Sequence, residues 1–130
     1  MKTFKLLTCL LAFFYIQNIL AQSSCTNNST TLCLIKNRFQ IEVNWQDNMG
    51  NLYTIDNLNQ SGDGQSNLIS DDTGTFWLFS DKHHELLVKV LDGCAVNNRY
   101  WVFSASTTNV EHTIKVTDLA SGQVKEYFNP

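Results

Sequence analysis

Three consecutive residues, His83, His84 and Glu85, have side chains of the kinds that bind zinc. Imidazole and carboxylate groups are zinc ligands, and a site needs several of them directed at one point. Successive side chains of an extended segment point to opposite sides, so His83 and His84 do not converge on one ion. A solvated turn is the simpler interpretation, and we expect no zinc site here.

Three carboxylates, Asp63, Asp71 and Asp72, offer the oxygen ligands that calcium prefers. A calcium-binding loop also needs acidic or amide residues at alternate positions, a glycine and a distal glutamate. The segment around Asp63, residues 61–65, lacks that series, and Asp71 and Asp72 are explained by a turn that ends at Gly74. We therefore predict neither a metal ion nor any other cofactor.

The sequence contains no recognisable set of catalytic residues. No serine stands in the Gly-x-Ser-x-Gly pattern of a nucleophile elbow. Paired carboxylates for glycoside hydrolysis need a cleft that holds the sugar, and a domain of this length seldom builds one alone. We expect no enzymatic activity and assign no catalytic residue.

Four aromatic residues lie in two segments that are apolar on both faces: Trp77, Phe79, Trp101 and Phe103. One face of each strand must fill the core, and the other is either covered or exposed. An exposed aromatic patch on a soluble protein marks a binding surface, whereas the central strands of a sandwich are buried on both faces. We take these four as the predicted binding residues, with burial on both faces as the alternative.

Three cysteines, Cys25, Cys33 and Cys94, lie outside the N-terminal apolar segment that contains Cys9. None has the paired Cys-x-x-Cys spacing of a zinc site. We favour a disulfide between Cys25 and Cys33, because their closeness lets it form without help from strand register or domain closure. A bond from either of them to Cys94 remains an alternative. In the favoured pairing, Cys94 is expected to be a buried free thiol.

The N-terminus has the order of a secretory signal peptide. Two lysines precede an uncharged, mostly apolar run over residues 6–20, and Ala21 closes it. The run is shorter than the ~20 residues that a membrane-spanning helix needs. Gln22 stands where a lipobox before Cys25 needs a large aliphatic residue. We therefore expect residues 1–21 to be removed and the product to be secreted, soluble and free of lipid.

The charge balance argues against two classes of partner. The chain has 9 Lys and Arg against 12 Asp and Glu, a net charge of −3, and two of the nine basic residues lie in the predicted signal peptide. No basic cluster is present to neutralise phosphates, so nucleic acid is not an expected partner. No second apolar segment follows the first, so we expect no membrane insertion.

The clearest structural signal is alternation over residues 38–46, where apolar residues occupy every second position: Phe39, Ile41, Val43 and Trp45. Successive side chains of a strand point to opposite faces, so these four share one buried face. Residues 110–117 alternate in the same way, and His112 falls on their apolar side, where we expect a satisfied, partly buried histidine. Further strands are expected at residues 52–55, 75–80, 85–91, 99–103 and 123–128, with a long polar loop over residues 56–67.

Strands of this length, separated by turn signals about every ten residues, indicate an all-β fold. We predict a small antiparallel β-sandwich or barrel. The predicted organisation is a signal peptide over residues 1–21, an irregular N-terminal arm over 22–34 and a single β-domain over 35–130.

Several blocks of residues follow one another along the chain: Leu32-Cys33-Leu34, Arg38-Phe39 with Val43 and Trp45, Lys89-Val90-Leu91-Asp92-Gly93, Trp101-Val102-Phe103, Asn109-Val110-Glu111, Val116-Thr117-Asp118 and Tyr127-Phe128-Asn129-Pro130. Together they resemble a β-module that recurs in secreted bacterial proteins, often as one unit of a longer chain. The resemblance covers nearly all of the chain after the predicted signal peptide. That module has no established biochemical activity, so the resemblance implies no catalytic residues.

Two functions fit these features. The first is a secreted, non-catalytic binding module that holds an extracellular protein, peptide or glycan through exposed aromatic residues or loops. The second is a free-standing inhibitor of a secreted hydrolase, in particular an extracellular peptidase. In that function the arm clipped by Cys25 and Cys33 lies in the enzyme's cleft as a rigid extended segment. We favour the first.

Overall fold

The computed structural model describes residues 23–47 and 61–130. The predicted signal peptide and the predicted strand over residues 52–55 lie outside the described residues. The described part forms these elements in order: β1 (Leu32–Leu34), β2 (Phe39–Gln46), β3 (Ser61–Asp63), β4 (Gln65–Ser70), β5 (Thr73–Trp77), β6 (Leu86–Asp92), α1 (Cys94–Asn97), β7 (Tyr100–Ser106), β8 (Glu111–Asp118) and β9 (Gln123–Asn129). No helix within these residues is long and apolar enough to cross a membrane.

The strands of the described part form two antiparallel sheets. The first sheet has the order β1-β2-β8-β9, with β3 paired to the end of β2, and the second has the order β4-β5-β6-β7. The buried faces of the two sheets share one hydrophobic core. The predicted all-β class is therefore confirmed, and the architecture is a sandwich.

The core is built on the two alternating strands that the sequence predicts. β2 pairs with β8 along its whole length, which puts Val43 opposite Ile114 and Trp45 opposite His112. All four apolar residues predicted to share a face of β2 are buried, and the most exposed of them, Trp45, is 8 % exposed. His112 is buried as well, and its Nδ1 donates to the Val110 carbonyl at 2.8 Å, so the imidazole is satisfied as expected. The second sheet contributes further fully buried side chains: Phe76, Leu86, Val88 and Val90.

The N-terminal segment closes one side of the sandwich. β1 pairs with β2, and both leucines of β1 are fully buried. The segment before β1 reaches the second sheet, where the Ser66 amide donates to the Ser29 carbonyl at 2.7 Å. Leu32 passes so close to β5 that a β-carbon at Gly74 would lie 2.6 Å from Leu32 Cδ1, which explains the glycine. The irregular arm is therefore shorter than the predicted range 22–34, because its last three residues form a strand.

The predicted disulfide between Cys25 and Cys33 is confirmed. Both cysteines are buried, and the Cys33 amide donates to Asn27 Oδ1 at 2.7 Å within the loop that the bond closes. The bond ties the arm to β1 on the closed side of the sandwich.

Two further segments differ from the prediction. Residues 61–67, expected to belong to a loop, contain β3 and the start of β4. Their Ser, Gly and Asp residues have low β-propensity, and pairing with neighbouring strands overrides it. One contact with a neighbouring strand is the hydrogen bond that Asn44 Nδ2 donates to Asp63 Oδ1 at 2.6 Å.

The helical turn α1 ends at Asn98, which has the left-handed conformation (φ 58°). A single turn is too short to produce a helical period in the sequence.

The opposite side of the sandwich is open. Among residues 23–47 and 61–130, no strand pairs with the outer edge of β7 in one sheet or of β9 in the other. The space between these two edges is a cleft, which is described in the next subsection.

Candidate functional site

A cleft of about 590 Å³ lies between the free edges of β7 and β9. Tyr100 and Val102 line it from β7, and Lys125 and Tyr127 line it from β9. Its floor is the end of the hydrophobic core at Val116, and the helical turn α1 borders one end. The cleft therefore exists because the two sheets diverge at the side that the N-terminal segment does not close.

Arg38 lines the cleft and connects three elements. Its Nε and Nη2 donate to the two carboxylate oxygens of Asp118 at 2.9 Å each, a bidentate pair. Its Nη1 donates to Tyr100 Oη at 3.1 Å, and its guanidinium carbon lies 4.5 Å from the centre of the Tyr100 ring. Phe39 packs against the same ring in a tilted arrangement, at 4.8 Å between centroids. These contacts fix the start of β2, the end of β8 and the start of β7 relative to one another.

The Arg38–Asp118 pair is ionised throughout the physiological range. The hydrogen bonds from Arg38 are the largest of the influences that lower the pKa of Asp118 to about 2. The same hydrogen bonds raise the pKa of Arg38. Asp118 also accepts from the Ala120 amide at 3.0 Å and from Ser121 Oγ at 2.8 Å, so it shapes the turn between β8 and β9.

Two further cations line the cleft without a carboxylate partner among the described residues: Arg99 and Lys125. Lys125 lies opposite Val116 in the β8–β9 register, so its side chain is on the cleft side of β9. The lining thus has three basic residues against one acidic residue, Asp118. The cleft is positive on a chain whose net charge is −3.

Cys94 lines the same cleft, and it is exposed, so the predicted burial of this thiol is wrong. The helical turn that begins at Cys94 has no buried residue and lifts the side chain out of the core. A hydrogen bond to the Asp92 carboxylate raises the pKa of the Cys94 thiol. A thiol with a raised pKa is a weak nucleophile at neutral pH.

The four aromatic residues predicted to bind a ligand do not come together. Trp101 and Phe103 lie on the outer face of β7, where Phe103 is 52 % exposed and Trp101 is held by the bond from its Nε1 to Asn97 Oδ1 at 3.1 Å. Trp77 is level with Glu85, just before β6, and Trp101 pairs with Leu91, so the two are about 20 Å apart along the strand at the usual rise per residue. Phe79 follows β5, and its ring packs edge-on against Trp45 at 4.9 Å.

The histidine and carboxylate clusters have structural roles. Thr75 Oγ1 contacts His84 Nδ1 at 2.9 Å, and the buried Glu85 accepts from the Leu78 amide at 2.8 Å, so the segment's side chains point apart. Asp71 accepts from the Lys36 amide at 2.8 Å, and Asp72 accepts from the hydroxyls on either side of it in its own turn. Within residues 23–47 and 61–130, no group of three metal-binding side chains is found.

The sequence contained a signal for the cleft that the aromatic pattern obscured. In β8 the buried face runs through Ile114 and Val116, and the next residue on that face is Asp118. A carboxylate that continues a buried face needs a partner, and Arg38 precedes the paired strand. Lys125 and Tyr127 share the cleft side of β9 by the same two-residue period.

No protein-family model, no curated protein and no solved structure matches this chain. The resemblance to the secreted β-module therefore stays a prediction.

Proposed function

We propose that this protein is a secreted, non-catalytic binding module, and that it holds an anionic extracellular ligand in the cleft between β7 and β9. The observation that carries the proposal is a positive cleft with aromatic walls on an acidic chain. An extracellular setting is supported by the Cys25–Cys33 disulfide, since such bonds persist in oxidising compartments.

The charge of the cleft favours an anionic ligand. Asp118 is neutralised by its bidentate contact with Arg38. Arg99 and Lys125 are left with unpaired charges, one on each side of the cleft. A ligand carboxylate placed between them gains two cationic neighbours, and the field of a concave site strengthens that attraction.

Two titratable groups of the cleft, Asp118 and Cys94, have pKa values that favour a binding role over proton transfer. Asp118 stays ionised far below neutral pH because Arg38 donates to both of its oxygens. Cys94 stays protonated at neutral pH because of Asp92. A general acid or base works best with a pKa near the operating pH, and these two lie on either side of it.

The cleft is a better candidate than the outer aromatic surface. Trp77, Phe79, Trp101 and Phe103 are divided among two ends of a sheet and a loop, so they do not offer one continuous surface. The cleft, in contrast, is concave and combines Tyr100 with charged and amide side chains, which is the usual make-up of a ligand site.

The cleft is also favoured over peptidase inhibition through the N-terminal arm. Asn28 Oδ1 accepts from the backbone amides of Thr30 and Thr31, each at 2.9 Å, so the disulfide loop contains a compact turn and not an extended segment. The Asn28 amide is used in the same turn, where it donates to the Thr31 carbonyl at 3.0 Å. An extended segment that pairs with a protease cleft needs such groups to be free.

The test compares three forms of the purified protein on a displayed library of random peptides and on an array of acidic and neutral glycans. The first form is the wild type, the second carries Arg99→Glu and Lys125→Glu, and the third carries Lys36→Glu and Lys82→Glu as a matched charge control outside the cleft. We expect wild type and control to enrich carboxylate-rich ligands, with at least about tenfold weaker binding by the cleft variant. Ligands without an acidic excess, or equal binding by all three forms, would refute the proposal.

A further inference from the structure

The free edge of β9 presents backbone groups whose identity follows from the register. The Leu119 amide donates to the Arg38 carbonyl at 3.0 Å, and these residues lie opposite each other one position beyond the β2–β8 register. Hydrogen-bonded and non-bonded pairs alternate in an antiparallel ladder, so Asp118 directs its backbone groups away from β2 and toward β9. The bond from the Gly122 amide to the Asp118 carbonyl, 2.7 Å, agrees with that direction.

The same alternation continues onto β9. Gln123 pairs with Asp118, so the residues of β9 at odd positions direct their amides and carbonyls toward β8. Val124, Glu126 and Phe128 therefore direct theirs to the outer edge. No strand of the described part of the chain pairs with that edge.

The side chains of β9 are uncovered as well. All seven residues of the strand are exposed, and the apolar ones include Phe128 at 63 %, Val124 at 51 % and Tyr127 at 40 % exposure. An edge strand with exposed apolar side chains and unpaired backbone groups is a template for another strand. Edges of this kind bind extended peptides by main-chain hydrogen bonds, with alternate side chains setting the specificity.

We propose, on the basis of the proposed function, that the ligand is an extended peptide segment of another protein that adds to β9 as a further strand of the first sheet. Side chains opposite each other in a sheet share a face. The peptide residue opposite Lys125 thus enters the cleft and is acidic, while those opposite Val124 and Phe128 lie on the outer face and are apolar. The ligand is therefore an extended peptide with an acidic residue on its cleft side and apolar residues on its outer side.

β9 is the receiving strand, in preference to β7. In β7, the Gly93 amide donates to the Arg99 carbonyl, so Arg99 and every second residue after it direct their backbone groups toward β6. The backbone groups of Tyr100, Val102 and every second residue after them therefore point to the outer edge. The side chains of Tyr100 and Val102 are already packed against the core. β9 offers a peptide three exposed large apolar side chains, whereas β7 offers one, Phe103.

One variant removes an outward donor of β9 without touching the ladder to β8. Glu126→Pro deletes the amide at the centre of the edge, and proline is tolerated on edge strands where its nitrogen faces solvent. Glu126→Ala is the matched control, because it removes the same carboxylate and keeps the amide. Circular dichroism and a melting curve establish that both variants are folded.

The probe is a displayed library of random octapeptides, selected in parallel on the wild type, on Glu126→Ala and on Glu126→Pro. We expect peptides with an acidic residue and neighbouring apolar residues to be enriched on the first two forms, and at least about tenfold less enrichment on the third, as for the loss of one or two hydrogen bonds. Equal enrichment on Glu126→Pro would overturn strand addition while leaving binding in the cleft intact.

A second measurement leaves the protein unchanged. The strongest peptide from the wild-type selection is synthesised as two forms, N-methylated at either its odd or its even positions. Strand addition predicts that one form loses binding and the other keeps it, because only alternate amides face β9. Equal affinities of the two forms would overturn the inference. If no peptide binds while oligogalacturonate does, the peptide inference fails and the proposed function stands; if neither binds, both fail.

Discussion

Arg38 and Asp118 are 80 positions apart in the sequence, yet their side chains form the best-defined contact of the cleft. The register that pairs Phe39 with Asp118 brings them together, and Tyr100 of the other sheet completes the group through its hydroxyl and its ring. The pair therefore joins the two sheets at the side where no strand closes the sandwich. It stabilises the cleft walls and leaves the other cations of the lining available to a ligand.

The Arg38–Asp118 pair makes the free energy of unfolding depend on pH. The pKa of Asp118 is about 2 in the folded protein, and an aspartate in the unfolded chain has a pKa of about 3.9. A depressed pKa contributes stability above the unfolded value, and that contribution is lost as the pH falls toward 2. We expect Asp118→Asn to be less stable than wild type at pH 6 and nearly equal to it at pH 2. Urea unfolding at both pH values checks this, and a difference independent of pH would contradict it.

Trp45 is the residue whose truncation should cost most stability. It is 8 % exposed, it ends the buried face of β2, and it packs edge-on against Phe79. Removing a buried tryptophan side chain leaves a cavity, and we expect Trp45→Ala to lower the free energy of unfolding by about 3–5 kcal/mol. Phe128→Ala is the control, because Phe128 is 63 % exposed and its truncation should change stability by no more than about 0.5 kcal/mol. Equal effects of the two substitutions on the free energy of unfolding in urea would refute the assignment of Trp45 to the core.

At the level of elements, the sequence predicted the strands whose side chains alternate and missed those that depend on pairing. β2 and β8 are recognisable because one face of each is buried, and burial imposes a two-residue period. β3 and β4 have mostly exposed polar side chains, so nothing in their composition distinguishes them from a loop. β1 is three residues long and entirely buried, which is too short for a period to be seen.

We expect the disulfide to be dispensable for the fold. The loop between Cys25 and Cys33 is short, and the entropic model gives a stabilisation of about 2–3 kcal/mol for its closure. β1 is also held by its pairing with β2 and by its two buried leucines. We expect the variant with Cys25→Ser and Cys33→Ser to fold, with a lower melting temperature and faster amide exchange in the arm.

The variant without the disulfide also distinguishes ligand binding in the cleft from peptidase inhibition through the arm. The arm lies on the closed side of the sandwich, and the cleft lies between β7 and β9 on the other. Binding of acidic peptides in the cleft should therefore be unaffected by the two serines. A clear loss of affinity for a peptidase, with the fold retained, would instead support inhibition through the arm. Failure to fold would show that the bond is essential to the core.

For the molecule as a whole, the fold was more predictable than the site. The all-β class follows from patterns within short windows of sequence, such as the two-residue period of β2. The cleft depends on which strands lie at the edges and on where the two sheets diverge, and both are set by pairings between distant segments. Cys94 shows the limit: we expected a buried free thiol once Cys25 was paired with Cys33, whereas the turn that contains Cys94 is exposed.

The residues around Ala21 predict the N-terminus and the lipidation state of the secreted chain. Ala21 closes the apolar run, and Gln22 is unsuited to a lipobox before Cys25, so we expect the secreted chain to begin near Gln22 without a lipid. The structure adds an independent reason, because a lipid on Cys25 occupies its sulfur as a thioether and that sulfur is bonded to Cys33.

Intact mass spectrometry of the secreted protein tests both points. We expect the mass of the chain from Gln22, less two hydrogens for the disulfide, and one carbamidomethyl group after native treatment with iodoacetamide, on the exposed Cys94. The alkylation is expected to be slow at neutral pH and faster in alkaline buffer, because the bond to Asp92 raises the pKa of the thiol. A diacylglycerol adduct, or retention of residues 1–21, would refute the predicted export; two further alkylated cysteines would refute the bond between Cys25 and Cys33.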